Sequence, residues 1–159
     1  MVFETGLLND PRQVGAGEIQ GDNNTILSAR DFQDSLQAGS FARIAVVAGV
    51  ETLSNLDPSV TAPLLAGVVL RKASSAVEDG SAIRSDLRSY AEYLRDGLVT
   101  VEGIAGETPT KFAKIYARNA GADIGKASVL AANGVDASAE FIEVLPSVDN
   151  RVIWLVRLK

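Results

Sequence analysis

Val152-Ile153-Trp154-Leu155-Val156, close to the end of the chain, carries an apolar side chain at every position. Successive side chains of a strand point to opposite faces, so an unbroken apolar run of this length predicts a strand buried on both. Three of its five residues are β-branched, which also favours an extended backbone. Ala139 to Leu145 reads as its partner, and Pro146 to Asn150 as the turn between them. Trp154, the one tryptophan, is expected in the core rather than at an interface.

Upstream of this closing pair the chain is punctuated at short intervals. Gly103, Gly106 and Pro109 precede Lys111 to Arg118, which contains Phe112, Ile115 and Tyr116; Gly121, Gly125 and Asn133-Gly134 follow. Strands at such spacing build a barrel or a sandwich. Phe41-Ala-Arg-Ile-Ala-Val-Val47 reads as a strand ending at Gly49, Thr52 to Ser59 as a turn, and Leu64 to Leu70 as a second strand. Ala73 to Ser81 is polar and reads as a surface loop. Ile83, Leu87, Tyr90, Ala91 and Leu94 fall at helical spacing, yet Tyr90 to Val101 fits strands as well, with Asp96-Gly97 marking a hairpin or a glycine bulge.

The first 24 residues contain Gly6, Gly15, Gly17 and Gly21 with Pro11, and their apolar residues follow neither helix nor strand period. They read as an extended arm whose apolar groups need cover, on its own domain or on a neighbour. Ser28-Ala-Arg-Asp31 has the form of a capping box and allows a short helix from Ser28 to Gln37. The expected organisation is an arm over residues 1–35 and one β-barrel or jelly-roll-like sandwich over residues 36–159, mainly β with at most one or two short helices.

Composition narrows the chemistry. The 159 residues include neither histidine nor cysteine, which removes the commonest general base, the commonest strong nucleophile and the softest metal ligands. A net charge of −5, with cations scattered from Arg12 to Lys159, argues against nucleic acid as a partner. The N-terminus lacks a basic region followed by an apolar run, so a protein that is not secreted is expected. The apolar runs are far shorter than the ~20 residues of a membrane span, so no membrane association is expected either.

Motif tests point the same way. Gly15-Ala-Gly17-Glu-Ile-Gln-Gly21 approximates a dinucleotide fingerprint, but its third glycine is one residue late and no apolar strand precedes it. Glu140 and Glu143, three apart on a strand, should point to opposite faces and so fail as a glycosidase pair. Asp22-Asn23-Asn24 and Asp31 to Asp34 lack the alternating ligands and distal glutamate of a calcium loop. Ser128 has no nucleophile elbow around it. No catalytic, cofactor-binding or metal-binding residue is expected.

Several stretches together resemble a known family. The glycine-containing arm, Gly39-Ser-Phe41-Ala-Arg-Ile44-Ala and Ala66-Gly67-Val68-Val69-Leu70-Arg71 look like the structural cement, or capsid decoration, proteins of tailed bacteriophages. Tyr93-Leu-Arg-Asp96-Gly97-Leu-Val-Thr-Val-Glu102 resembles their glycine-bent strand. Phe112-Ala-Lys-Ile115-Tyr116-Ala-Arg118 resembles the next strand, and Val152 to Leu158 the terminal one. The segment from Lys72 to Tyr90 and the capping signal at Ser28 depart from the pattern, while the resemblance favours strand around Tyr90 to Leu94.

The resemblance implies a non-enzymatic protein on the outer surface of a virion, made in the host cytoplasm. It would bind the major capsid protein across subunit junctions and associate with itself as a homotrimer, with a homodimer as the alternative. No cofactor is implied. The arm would then act as a clamp, and the expected interface residues are Val2, Phe3, Leu7, Leu8, Arg12, Val14 and Ile19. Two other readings compete: a tail or fibre-attachment module, and a carboxylate-dependent, glycan-directed enzyme on a β-sandwich.

Overall fold

A computed structural model describes residues 15–31, 36–70, 90–147 and 150–159. Within them lie nine strands: β1 (Ile19–Asp31), β2 (Phe41–Val47), β3 (Val50–Asn55), β4 (Leu65–Val69), β5 (Tyr90–Glu102), β6 (Lys114–Arg118), β7 (Ala127–Ser128), β8 (Gly134–Leu145) and β9 (Ile153–Leu158). One short 3-10 turn, Ala62–Leu64, is the only helical element among the described residues. The chain is mainly β, as its sequence pattern predicts.

The strands form one sheet in the order β1-β3-β2-β4-β5-β9-β8-β6-β7, and β1 also pairs with β5. That extra pairing closes β1, β3, β2, β4 and β5 into a ring. Every contact in the ring is antiparallel except β1 with β3, which meet in parallel at Arg30↔Thr52 and Asp31↔Leu53. A closed ring leaves no continuous free edge. The remaining strands hang from β5: its neighbour changes from β4 at Tyr93 and Leu94 to β9 from Gly97 to Glu102. A parallel bridge between Gly103 and Ala127 ties β7 back to the chain just past β5.

Strand period divides the core in two. Ala29, Ala42, Leu53, Val69, and Ala91 with Tyr93 come one strand after another from the five members of the ring and fill its interior. Three alanines there make room for Leu53 and Tyr93, as a small barrel requires. Their sequence neighbours Phe41, Val68 and Leu94 face the other way and join Val99, Val101, Ile115, Phe141, Trp154, Val156 and Leu158 in the larger core. Trp154 is fully buried, with its ring edge-on to Phe141 at 5.6 Å and 86°. Ile153 to Val156 are all buried, so the run at the chain end is a strand covered on both faces.

Two local expectations change. Ser28 to Asp31 end β1 rather than capping a helix, because the ring supplies partners in β5 and β3 that outweigh a local cap; residues 32–35 lie outside the described residues. Thr52 to Asn55 belong to β3, and the turn is confined to Leu56–Ser59, where the Asp57 carboxylate accepts the Ser59 amide at 2.8 Å. Of the two readings of Asp96-Gly97 the bulge holds and the hairpin does not: β5 runs through the pair for 13 residues, with Arg95 left over between Thr25↔Asp96 and Ile26↔Leu94. A second irregularity lies opposite, in β1 between Gln20 and Thr25, where Asn23 and Asn24 press against Gly97 in the space a side chain would need. The loop expected at 73–81 and the helical stripe before Tyr90 lie outside the described residues, whereas Tyr90 to Leu94 are strand.

Candidate protein interaction surface

β2 and β3 pair from Ala42↔Asn55 to Val47↔Val50, leaving Ala48 and Gly49 to reverse the chain. Both have positive φ, 52° and 81°, the I′ arrangement whose twist suits a hairpin. Glycine adopts it freely; an alanine there is strained by about 1 kcal/mol. Only the base of this hairpin belongs to the ring, since β4 pairs with β2 no further than Arg43 and β1 meets β3 only at Thr52 and Leu53. Ala45 to Glu51 therefore project beyond it.

The projecting tip is apolar. Val46 is 69% exposed, Val47 41% and Val50 40%, and no charged residue stands between Arg43 and Glu51. Exposed valines at this density leave the tip without the charges that normally blunt a free strand end. Leu64, also exposed, stands alongside β2 next to the pair Arg43↔Leu65, and Ile26 is exposed on β1. Among the described residues the other large exposed apolar ones, Phe112, Ile124, Leu130 and Val144, belong to the β6–β8 side. Phe112 is held at φ 67° by its own amide, which donates to the Phe141 carbonyl at 2.7 Å.

A second feature is the root of the N-terminal segment. The buried Thr100 hydroxyl donates to the Gly15 carbonyl at 2.7 Å and accepts the Glu18 amide at 2.8 Å. Main-chain bonds from Gly17 to Thr100 and from Thr100 back to Glu18 flank it, and the Gly15 amide donates to the Glu18 carboxylate. Residues 15–18 are thus stitched to β5 near its C-terminal end. Gly15 is therefore a fixed point of the domain.

Of the interface residues expected from sequence, Val2, Phe3, Leu7, Leu8, Arg12 and Val14 lie outside the described residues. Ile19 opens β1, pairs with Val99 and packs half-buried against the larger core of its own chain. The valine tip was not among the expected residues. Its sequence signal is Ala48-Gly49 between Val47 and Val50, a two-residue turn inside one apolar run, hidden by the turn residues that follow at Asn55 to Ser59.

The candidates for chemistry resolve into structural contacts. A register shift between Phe141 and Glu143 inserts Ile142 as an extra residue, so Glu140 pairs with Arg157 and Glu143 with Leu155. Those partners are two apart on β9, so the bulge brings the two glutamates to one face and the expectation that they point apart is corrected. Glu140 is instead engaged by Lys159 at 2.7 Å and Arg157 at 3.4 Å, and Lys159 chiefly holds its carboxyl below the usual range. An acid with a lowered pKa is a poor proton donor.

Ser128 is buried and donates to the Glu107 carboxylate at 2.7 Å, which also accepts the Val129 amide at 2.7 Å and pairs with Arg118 at 3.3 Å. This arrangement pins the loop after β5 to β6 and β7, with the serine as donor rather than nucleophile. Among the described residues no group of three or more carboxylates could hold a metal ion, and no helix is long and apolar enough to cross a membrane.

Three comparisons with known proteins bear on this surface. A family model described as XM1 gp53 minor capsid protein matches residues 3–153. A solved chain from the capsid of Myoviridae phage XM1 is similar over 100% of this chain and 98% of its own length, at 27% identity and a TM-score of 0.73. Among curated proteins none matches.

Proposed function

We propose a decoration role on one premise: the chain belongs to the XM1 gp53 minor capsid protein family. Membership carries a structural role associated with a phage capsid. The finer reading is a cement protein that sits on the outer surface of the shell, binds the major capsid protein across subunit junctions and associates as a homotrimer, with no catalytic activity. The observation that carries it is the similarity, end to end in both chains, to a protein found within an assembled capsid.

The physical logic supports the same reading. Many copies on a repeating lattice strengthen a shell through modest individual contacts, because binding at one contact raises the effective concentration at the next. Two devices suit this: the apolar hairpin tip, and a clamp formed on a neighbour by Val2, Phe3, Leu7, Leu8, Arg12 and Val14 of the N-terminal segment, whose root at residues 15–18 is fixed.

The test is reconstitution. Capsids of the phage that encodes this chain, produced with its gene deleted, are mixed with the purified protein, imaged, and heated beside bare capsids. Ordered density on the outer face over capsid subunit junctions, with a higher temperature of disruption, is expected. Density on the tail, or bare capsids, would overturn the reading. Sedimentation of the free protein distinguishes a trimer from a dimer.

A further inference from the structure

From the geometry of the hairpin we infer that the valine tip, Val46 to Val50, is a wedge that enters an apolar cleft between subunits of the capsid shell; the inference rests on the decoration reading and names the part of the chain that carries it. Three observations converge on the tip. It projects beyond the closed ring, with neither β4 nor β1 paired beside it. Its side chains are valines that an ordinary surface hairpin would replace with charged or polar residues. Its turn keeps a strained alanine where asparagine or glycine would relieve the backbone and add either polarity or freedom.

The occupant follows from area and shape. Three valines exposing between 40% and 69% of their surface fall well under half of the ~800 Å² per partner that a stable pair of proteins needs, so tip-to-tip contact between two copies would not hold. A two-stranded hairpin inserted in a cleft is covered on both faces, which suits a lattice offering the same junction many times. An uncharged tip also avoids the cost of burying a charge. The remaining exposed apolar residues on the β6–β8 side stand outside this hairpin, so they serve as the comparison.

The experiment uses the full chain and the gene-deleted capsids. V46D/V50D places two carboxylates on the tip, V46T/V50T keeps the shape and β-branching while adding hydroxyls, and L130D changes an equally exposed residue elsewhere. Circular dichroism, melting temperature and sedimentation are read on each protein before capsid binding is titrated. The wedge predicts that V46D/V50D folds and self-associates as the wild type but binds capsids about tenfold or more weakly, with V46T/V50T intermediate and L130D unchanged. If V46D/V50D fails to fold, the threonine pair decides by the same comparison. Wild-type affinity in a folded tip variant overturns the wedge, as does a tip variant that sediments as a smaller species, which would assign the tip to contact between copies. Wild-type protein that leaves capsids bare sinks the decoration reading itself.

Discussion

Gly103 carries no side chain because Trp154 occupies the space one would fill: a Cβ there would stand inside the van der Waals shell of the indole ring. Both residues are buried, and neither can yield without opening the core around Phe141. Gly103→Ala should therefore destabilise the protein by about 1–3 kcal/mol, as overpacking of a filled core does, measured by urea unfolding; an unchanged midpoint would show that Trp154 can shift. Single residues also decide chemistry. Ile142, by being one residue too many, reverses the face on which Glu143 lies, yet the pair gains no acid–base character because Lys159 and Arg157 hold Glu140 ionised. Side-chain direction set the geometry there, and charge set the outcome.

At the scale of elements, two polar side chains attach loops to the sheet. Thr100 reaches from near the C-terminal end of β5 to Gly15 and Glu18. Thr100→Val keeps the shape but leaves a buried amide and carbonyl short of a partner, which costs about 1–2 kcal/mol. Hydrogen exchange at Glu18 should rise by more than that at β8 and β9 if residues 15–18 are released; uniform exchange across the domain would contradict a local latch. Glu107 does the corresponding work after β5. Glu107→Ala would strand the Arg118 charge and the Val129 amide in surroundings that are largely buried, a loss of about 2–3 kcal/mol read by thermal or urea unfolding. A loss below about 0.5 kcal/mol, the limit for a plain surface change, would show that water replaces the carboxylate.

For the whole molecule, acid sensitivity follows from carboxylates with lowered pKa values. Asp57 is lowered chiefly by the Ser59 hydroxyl, Asp136 by Lys114, and Glu140 by Lys159. Each binds its proton more weakly folded than unfolded, so the unfolded chain takes up more protons on acidification. The stability they contribute is complete above their ordinary values of 3.8 and 4.5 and is lost as pH falls through the lower folded values. With no histidine in the chain, the unfolding midpoint should stay flat from about pH 8 to about pH 6 and decline only below about pH 4.5. A steep loss between about pH 7 and 5 would contradict this account. Lys114 and Lys126 are raised, chiefly by Asp136 and Asp123 respectively, so their contribution is present below the ordinary 10.5 and is lost as pH rises through the higher folded values.

Much of the fold was legible because a strand's face pattern is a local property. Phe41–Val47, Leu65–Val69 and Ile153–Leu158 announce themselves by apolar and β-branched runs, and the lack of histidine and cysteine bounds the chemistry without any structure. β1 was not legible: Gly21, Asn23 and Asn24 break its pattern, and it becomes a strand only because β5, some 70 residues later in the chain, supplies its partner. Closure of the ring, the bulge at Ile142 and the projection of the valine tip share that cause. Each depends on which strand ends before its neighbour and on pairings between distant segments, and those are settled by tertiary packing rather than by the local order of residues.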